Sequence, residues 1–343
     1  EFYINVLAID RNENMNIIVD AMGGDNAPEE IVKGCIMAAN DFGEIITLVG
    51  KKDIISEHLK KAGYNGDRIK IQNAEEVISG DDEPTTAIRQ KKDSSLRVGL
   101  DMLHKGQGDV MVSAGNTGAL ITGATLIVKR IKGVRRVALA PLMPAETGCF
   151  LLVDGGANVE SSAAFLKQFA IMGSIYMEKI MHIKNPRVGL VNIGSEEEKG
   201  TEDVTEANRL LKEIPINYTG YIEGREIPCG AVDVVVCDGF TGNVILKFME
   251  GMGIVIKRML KGIFFKNLKT KIAALMVKGG INELGKTLDY TEYGGAPLLG
   301  CTKPVVKAHG SSNAKAFYHA IRQSIDMVNN NLVDTISENI NKY

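Results

Sequence analysis

The sequence lacks the patterns that mark several common classes of protein. Its five cysteines form no CxxC pair, and its five histidines are scattered without metal-ligand spacing, so no metal site is expected. A GxGxxG motif is absent, which leaves a nicotinamide fingerprint without support, and no GxSxG motif indicates a nucleophilic serine. The sequence therefore predicts neither a metal nor an organic cofactor.

Other absences bear on where the chain works. No run of eighteen apolar residues occurs, and residues 1–14 lack the basic start and apolar stretch of a signal peptide. Cysteines without a disulfide framework are typical of a reducing compartment, and a net charge of -2 gives no chain-wide attraction for nucleic acid. We expect a cytoplasmic protein with no nucleic-acid partner.

The length and composition predict one globular domain. With 343 residues, of which 45% are hydrophobic, the chain can bury a substantial core. Met15 is followed at once by a β-strand pattern, so we interpret residues 1–14 as leader or added residues and residues 15–343 as a single catalytic domain.

Two stretches of the chain share one plan. In the first, the apolar run 232–236 leads into Asp238-Gly-Phe-Thr-Gly-Asn243, after which apolar residues resume. In the second, 109–112 leads into Ser113-Ala-Gly-Asn-Thr-Gly118. A buried strand that delivers a glycine turn to a helix N-terminus offers unpaired N–H groups to an anion. Both turns are predicted to contribute to one anion-binding pocket.

Four more strand-turn units follow the same pattern. They end at Asp20 to Asp25, at Asp154 to Asn158, at the loop before Gly200, and at His309 to Ser312. Strands that alternate with helices predict an α/β fold, a doubly wound and mostly parallel sheet with helices on both faces, and the polar turns are expected at one edge. Tight-turn chemistry and helix capping explain the same aspartates and serines without a ligand, and both interpretations stay open.

Residues 252–285 differ in character from the rest of the chain. Between Ile254 and Lys278 there are seven basic and no acidic residues, set among apolar residues at helical spacing. We interpret the segment as a protruding, basic, amphipathic helical hairpin that contacts a membrane surface or an acidic partner, or that packs in a dimer. The predicted contact residues are Lys257, Arg258, Lys261, Ile263, Phe264, Phe265 and Lys266.

One further motif match is interpreted as chance. Gly280-Ile-Asn-Glu-Leu-Gly-Lys-Thr287 satisfies the P-loop pattern, but it does not follow a buried strand as a P-loop must. An ATP-dependent acyl or acid kinase is therefore kept only as an alternative function. A non-enzymatic scaffold that binds acidic carrier proteins at a membrane is a second alternative.

Several long motifs, in order, resemble the bacterial phosphate acyltransferase family. They are Asp20-Ala-Met-Gly-Gly-Asp25, Ser113-Ala-Gly-Asn-Thr-Gly-Ala119, Asp238-Gly-Phe-Thr-Gly-Asn243, Tyr293-Gly-Gly-Ala296 and Lys307-Ala-His-Gly-Ser-Ser312. The resemblance implies transfer of a long-chain acyl group from acyl carrier protein to inorganic phosphate, which makes acyl phosphate for a membrane glycerol-3-phosphate acyltransferase. It also implies an isocitrate-dehydrogenase-like α/β/α fold, a homodimer and peripheral membrane association.

The polar residues of the turns fit that reaction. Asn116 or Asn243 is predicted to stabilise the oxyanion, Lys199 to hold phosphate, and His309 to hold phosphate or pass a proton. The predicted substrate and phosphate-binding residues are Asp20, Gly23, Gly24, Gly115, Thr117, Gly118, Asp154, Asn158, Gly239, Thr241, Gly242, Ser311 and Ser312.

Overall fold

The computed structural model describes residues 14–287 and 294–342, with the side chains of 282–284 and 286–287 left out of the description. The interpretation of residues 1–14 as leader residues therefore falls almost entirely outside the described residues. So does Tyr293 of the family motif.

The strands and helices alternate along most of the chain. The strands are β1 Asn16–Asp20, β2 Ile45–Gly50, β3 Ile69–Asn73, β4 Val110–Ser113, β5 Ala138–Leu139, β6 Leu142–Pro144, β7 Cys149–Val153, β8 Val188–Val191, β9 Tyr218–Ile222, β10 Val234–Val236, β11 Ala296–Leu299 and β12 Val305–Lys307. The helices are α1 Glu29–Phe42, α2 Lys52–Lys61, α3 Pro84–Gln90, α4 Ser95–His104, α5 Thr117–Gly123, α6 Ala163–Lys179, α7 Glu202–Lys212, α8 Gly239–Phe264, α9 Leu268–Met276, α10 Lys278–Thr287, α11 Ala314–Asn329 and α12 Leu332–Asn339.

The larger sheet contains seven strands in the order β3-β2-β1-β4-β12-β11-β5. The first five run parallel, and β11 is antiparallel to both of its neighbours. Its central strands are almost wholly buried, as expected for parallel strands covered by helices on both faces. This arrangement brings the ends of β1, β4 and β12 side by side.

A second sheet of five strands, in the order β6-β7-β10-β8-β9, follows in the middle of the chain. All of its pairs are parallel except β6 with β7. The predicted α/β fold with mostly parallel strands and flanking helices is confirmed. The strands divide between two sheets, a division that the sequence pattern does not reveal because each sheet repeats the same strand-turn-helix unit.

Helix α8 carries a large exposed apolar surface. It is 26 residues long and begins at Gly239, well before the predicted start of the basic segment at 252, and two short helices, α9 and α10, follow it. Among the described helices, α8 is the one whose length and composition would suffice to cross a bilayer. Its exposed apolar residues are Phe240, Val244, Phe248, Met252, Ile254, Val255, Met259 and Ile263.

Candidate active site

A cleft of about 1060 Å³ lies where the two sheets face each other. On one side it is lined by the turns after β1, β4 and β12, and on the other by the loop after β7 and one face of α8. Ligands of open α/β sheets bind beyond the carboxyl ends of the strands, so this cleft occupies the expected position for an active site.

Three adjacent strands of the larger sheet end in a row of polar side chains. Asp20, Ser113 and Lys307 are the last residues of β1, β4 and β12, and they are in register. Ser113 Oγ donates a hydrogen bond to Asp20 Oδ2 at 2.7 Å, and Lys307 Nζ donates to the carbonyl oxygens of Ala114 (3.1 Å) and Ala308. All three residues are buried, and Lys307 also lines the cleft.

Burial shifts the titration of both charged groups in this row. The pKa of Asp20 is raised by desolvation, against the lowering effect of hydrogen bonds that include the one from Ser113. Desolvation lowers the pKa of Lys307 to about 8, although the charges of Asp20 and Asp25 oppose the shift. Lys307 therefore keeps most of its positive charge at neutral pH while lying at the wall of the cleft.

The glycines in these turns allow the backbones to approach each other closely. A Cβ on Gly23 would lie 2.4 Å from Asp20 Oδ2, and a Cβ on Gly24 would lie 2.9 Å from Ala114 Cβ. Gly24 also has a φ of +108°, a conformation that favours glycine. Gly23 and Asp20 therefore pack closely within the turn and do not line the cleft, whereas Gly24 does.

Asn116 holds two parts of the cleft together. Its Oδ1 accepts from the Ala119 N–H as the N-cap of α5, while its Nδ2 donates to the carbonyl oxygens of Ser79 and Asp82. A third bond reaches Gly80. Because both ends of the amide are engaged, the geometry gives no support to the prediction that Asn116 stabilises an oxyanion. Thr117 and Gly118 line the cleft at the first turn of α5, and among the described residues no partner outside that helix accepts from their N–H groups.

Replacing Asn116 with aspartate separates its two tasks. The carboxylate keeps the acceptor for the Ala119 N–H, but it loses the donors that hold the loop of residues 79–82 and places a negative charge beside its carbonyl oxygens. We expect faster backbone hydrogen exchange across residues 79–85 and a loss of about 1 to 3 kcal/mol in stability. Asn116→Ala should lose the cap as well, and exchange rates equal to those of the unmutated protein would contradict the assignment.

The N–H groups of Gly239, Thr241 and Gly242, at the start of α8, donate to partners within the protein. Asp238 caps the helix by accepting from the Thr241 N–H (2.8 Å) and hydroxyl, and the Gly239 N–H donates to the carbonyl of Asn158. A Cβ on Gly242 would lie 1.8 Å from the Asp154 carbonyl oxygen. Gly239, Thr241 and Gly242, which were predicted to bind phosphate, do not line the cleft. The two glycines pack the start of α8 against the loop after β7, and Thr241 takes part in the helix cap.

Asp154 is the centre of that loop. Its fully buried carboxylate accepts from the N–H groups of Leu139, Gly156, Ala157 and Asn158 and from the Asn158 side chain. Desolvation raises the pKa of Asp154. Neither Asp154 nor Asn158 lines the cleft, so both predicted substrate contacts are structural residues in this arrangement.

One face of α8 carries polar side chains into the cleft. Asn243, Lys247 and Glu250 are spaced by four and three residues, which places them on one side of a helix, and Lys247 pairs with Glu250 at 2.9 Å. Glu250 Oε1 also lies 3.9 Å from His309 Nε2. Asn243 is the residue of the second turn that lines the cleft.

His309 is held by the turn that follows β12. The Ser311 N–H donates to its Nδ1, and the Ser311 hydroxyl lies 2.9 Å from the same atom, so the neutral ring carries its proton on Nε2. Desolvation, the largest cause, lowers its pKa, and at neutral pH the ring is uncharged. Ser311 orients His309 and does not line the cleft. Ser312 is buried, and its N–H donates a hydrogen bond to the His309 carbonyl.

Lys199 lies outside the cleft. It is exposed on the loop after β8, where its Nζ pairs with Glu196 at 3.4 Å and its carbonyl accepts from Asn192. The prediction that it holds phosphate therefore has no support in this arrangement. The predicted residues that the structure brings together at the cleft are Gly24, Gly115, Asn116, Thr117, Gly118, Asn243 and His309.

The prediction of site residues missed five charged residues that line the cleft: Asp25, Glu83, Lys247, Glu250 and Lys307. Two signals in the sequence point to three of them, Lys247, Glu250 and Lys307. A lysine that ends the apolar run 305–306 is out of place in a buried strand, and the spacing of 243, 247 and 250 marks a polar face on an apolar helix. Among the described residues, no three His, Cys, Asp or Glu side chains are grouped closely enough to hold a metal ion.

The fold is shared with phosphotransacylases of known structure. A phosphotransacetylase from Streptococcus pyogenes superposes with a TM-score of 0.64 over 92% of this chain and 94% of its own, at 17% identity. A branched-chain phosphotransacylase from Enterococcus faecalis gives a TM-score of 0.56 over 92% of this chain and 99% of its own, at 13% identity. The class defined by the fold and cleft is thus that of an α/β protein with a cleft between two mostly parallel sheets.

The chain belongs to the family described as fatty acid synthesis protein, whose model matches residues 15–335. It is 50% identical to a phosphate acyltransferase of Thermoanaerobacter pseudethanolicus, over 95% of this chain and 97% of the relative. It is 46% identical to a phosphate acyltransferase of Clostridium acetobutylicum, over 95% and 99% of the two chains. The protein is therefore an acyltransferase, which confirms the predicted family and excludes the non-enzymatic scaffold.

Proposed function

We propose that the protein transfers a long-chain fatty acyl group from acyl carrier protein to inorganic phosphate, for use in membrane phospholipid synthesis. The observation that carries this proposal is the cleft, which joins a polar end to an apolar wall. The polar end offers the Thr117 and Gly118 N–H groups and Lys307, and the wall is lined by apolar side chains. These are Met22, Val77, Ile78, Ile121, Leu139, Leu142, Met143 and Leu246. An anion and an acyl chain thus have adjacent places.

The reaction requires little from the protein beyond positioning. A phosphate oxygen attacks the thioester carbonyl carbon, the new C–O bond forms, the C–S bond breaks, and the carrier leaves as a thiolate. Holding both reactants in one cleft supplies much of the rate enhancement. The Asn243 amide is the cleft side chain suited to stabilise the oxyanion, and the neutral His309 is suited to hold phosphate by donating a hydrogen bond from its Nε2. The thiolate takes up the proton that the attacking hydrogen phosphate releases when it becomes an acyl phosphate.

A turnover assay with rival donors tests the function. Purified protein is mixed with long-chain acyl carrier protein or acyl-CoA, with and without phosphate, and free thiol and hydroxylamine-trapped acyl group are measured. We expect thiol release from acyl carrier protein only when phosphate is present, with an equal yield of trapped acyl group. Thiol release without phosphate, or acyl phosphate formed only with ATP, would overturn the proposal.

The kinase alternative loses its structural basis. Residues 280–287, which match the P-loop pattern, lie within α10 and follow α9 rather than a strand. A P-loop cradles phosphate with a glycine loop between a buried strand and a helix, and an α-helical conformation does not provide it. Phosphate is therefore proposed as a substrate in its own right.

We further propose that the exposed surface of α8 serves two contacts of a cytoplasmic, peripherally membrane-associated homodimer. The exposed apolar residues Phe240, Val244 and Phe248 recur every fourth residue near the cleft, which suits packing against a second copy of the chain. Near its other end, Ile263 is exposed beside Lys257, Arg258 and Lys261, which suits anionic lipid or the acidic carrier protein. Phe264, Phe265 and Lys266 extend this surface.

The double variant Ile263→Asp with Phe264→Asp is expected to abolish sedimentation with vesicles of anionic phospholipid. Two carboxylates replace apolar contacts and repel the lipid headgroups, whereas turnover of acyl carrier protein in solution should stay largely intact. Met37→Asp, at an exposed apolar position on α1, is the matched control and should sediment like the unmutated protein. Unchanged sedimentation of the double variant would rule out this contact.

A further inference from the structure

The Lys307 ammonium is a buried charge without a counter-ion. Its side chain is 8% exposed, and its Nζ is held by two neutral carbonyl oxygens, those of Ala114 and Ala308. Among the described residues, no carboxylate oxygen lies within 4.0 Å of it. Asp20 is in the same row, but Ser113 on β4 stands between the two strands. A charge removed from water without a paired ion costs several kcal/mol, so its position calls for an anion.

The cleft offers that anion a place. Lys307 lines the cleft at the point where the turns after β1, β4 and β12 meet, and the Asp25 N–H donates to the Gly310 carbonyl to hold two of these turns together. An ammonium has three donors, and two of them are used, which leaves one for a ligand. The Thr117 and Gly118 N–H groups border the same cleft.

We propose that Lys307 is the residue that binds the inorganic phosphate substrate, and that phosphate supplies its missing counter-ion. The inference rests on the proposed function for the identity of the anion. Lysine binds phosphate as a point charge, and here the charge is fixed by the two carbonyl bonds rather than by a flexible surface side chain. Lys247 is a weaker candidate for the same task because Glu250 already neutralises it.

Thermal unfolding with increasing inorganic phosphate tests the proposal on the full chain without requiring turnover. Phosphate that binds the folded protein should raise Tm of the unmutated protein, and Lys307→Met should lose this rise because the affinity falls at least about tenfold. Without phosphate, Lys307→Met removes an unpaired charge but leaves the carbonyl oxygens of Ala114 and Ala308 without their donor, so the difference in Tm with and without phosphate is the quantity that decides. A merely structural lysine would change Tm but leave the phosphate response intact, and that result overturns the proposal.

Two further variants complete the experiment. Lys61→Met, at an exposed lysine that pairs with Glu57, should leave the phosphate response unchanged. Lys307→Arg keeps the charge and should retain part of the response. In turnover, Lys307→Met should raise KM for phosphate at least about tenfold and leave KM for the acyl donor within about twofold. An unchanged KM for phosphate overturns the role of Lys307, whereas absence of phosphate-dependent turnover in the unmutated protein overturns the proposed function instead.

The pH dependence of phosphate binding gives an independent readout. The amine loses its proton near pH 8 in the free protein, so affinity should fall above that pH, whereas Lys307→Arg should not show this additional loss. The titration of phosphate itself is common to both proteins. The other charged or titratable groups near Lys307 are Asp20, Asp25, Lys247, Glu250 and His309, and these too are shared. Identical pH profiles for the two proteins would contradict the proposal.

Discussion

Gly242→Ala is expected to remove most of the protein's activity and to lower its free energy of unfolding by more than about 3 kcal/mol. The added Cβ would lie 1.8 Å from the Asp154 carbonyl oxygen and 3.1 Å from Cys237 Sγ. The first contact is with backbone, so no side-chain rotation relieves it, and the start of α8 must move away from the loop after β7. Asn243, the next residue, then leaves its place in the cleft.

Gly251→Ala is the matched control for this prediction. Gly251 is an exposed residue in the interior of the same helix, and a Cβ there meets nothing within 4 Å. Alanine is the better helix former, so this variant should be as stable as the unmutated protein or up to about 1 kcal/mol more stable. Urea unfolding and the phosphate-dependent assay measure both variants. Equal stability of Gly242→Ala and Gly251→Ala would show that α8 does not pack as described.

Asp154→Ala is expected to destabilise the protein by about 3 to 5 kcal/mol. The substitution leaves the N–H groups of Leu139, Gly156, Ala157 and Asn158 without their acceptor in a buried place, and each unsatisfied donor costs about 1 to 3 kcal/mol before relaxation. Since Gly155 to Ala157 line the cleft, activity should fall along with stability.

Asp154→Asn provides the comparison. Asparagine keeps one side-chain oxygen as an acceptor but replaces the other with an NH2 group. If that group takes the place of Oδ2, it faces the Asn158 N–H and side-chain amide, which are also donors, so we expect an intermediate loss of stability. Chemical denaturation, read by circular dichroism, gives the three free energies. A loss below about 1 kcal/mol for Asp154→Ala would mean that water or a shifted loop satisfies these donors.

The sequence predicts the repeated unit of this fold well, since each apolar run followed by a glycine turn does form a strand. It does not predict the function of each turn. Residues 115–118 and 239–242 look alike in sequence, yet only the first borders the cleft. The second packs against the loop that Asp154 organises. Just before this turn, Cys237 Sγ contacts the carbonyl oxygen of Asp154, 83 positions away in the chain. Local pattern holds no information about such a contact.

The same reason explains why Lys307 escaped prediction. Its chemistry depends on the carbonyl of Ala114, 193 residues away, and on the order of strands that places β12 beside β4. Asn116 illustrates the opposite case, a predicted role that the tertiary contacts do not support. An asparagine in a glycine turn suggests an oxyanion donor, but the nearby loop of residues 79–82 occupies its amide. Tertiary neighbours thus decide which polar groups remain available to substrate.

Helix α8 also acts as a spacer of fixed length. At 1.5 Å per residue, Ile263 lies about 30 Å along the axis from Asn243, so its side chain has no direct contact with the cleft. A change at one end of α8 then affects the other end by tilting the whole helix. Where no such tilt occurs, the free-energy effects of substitutions at the two ends are additive. The anchoring of the enzyme and its chemistry are thereby able to change independently in evolution.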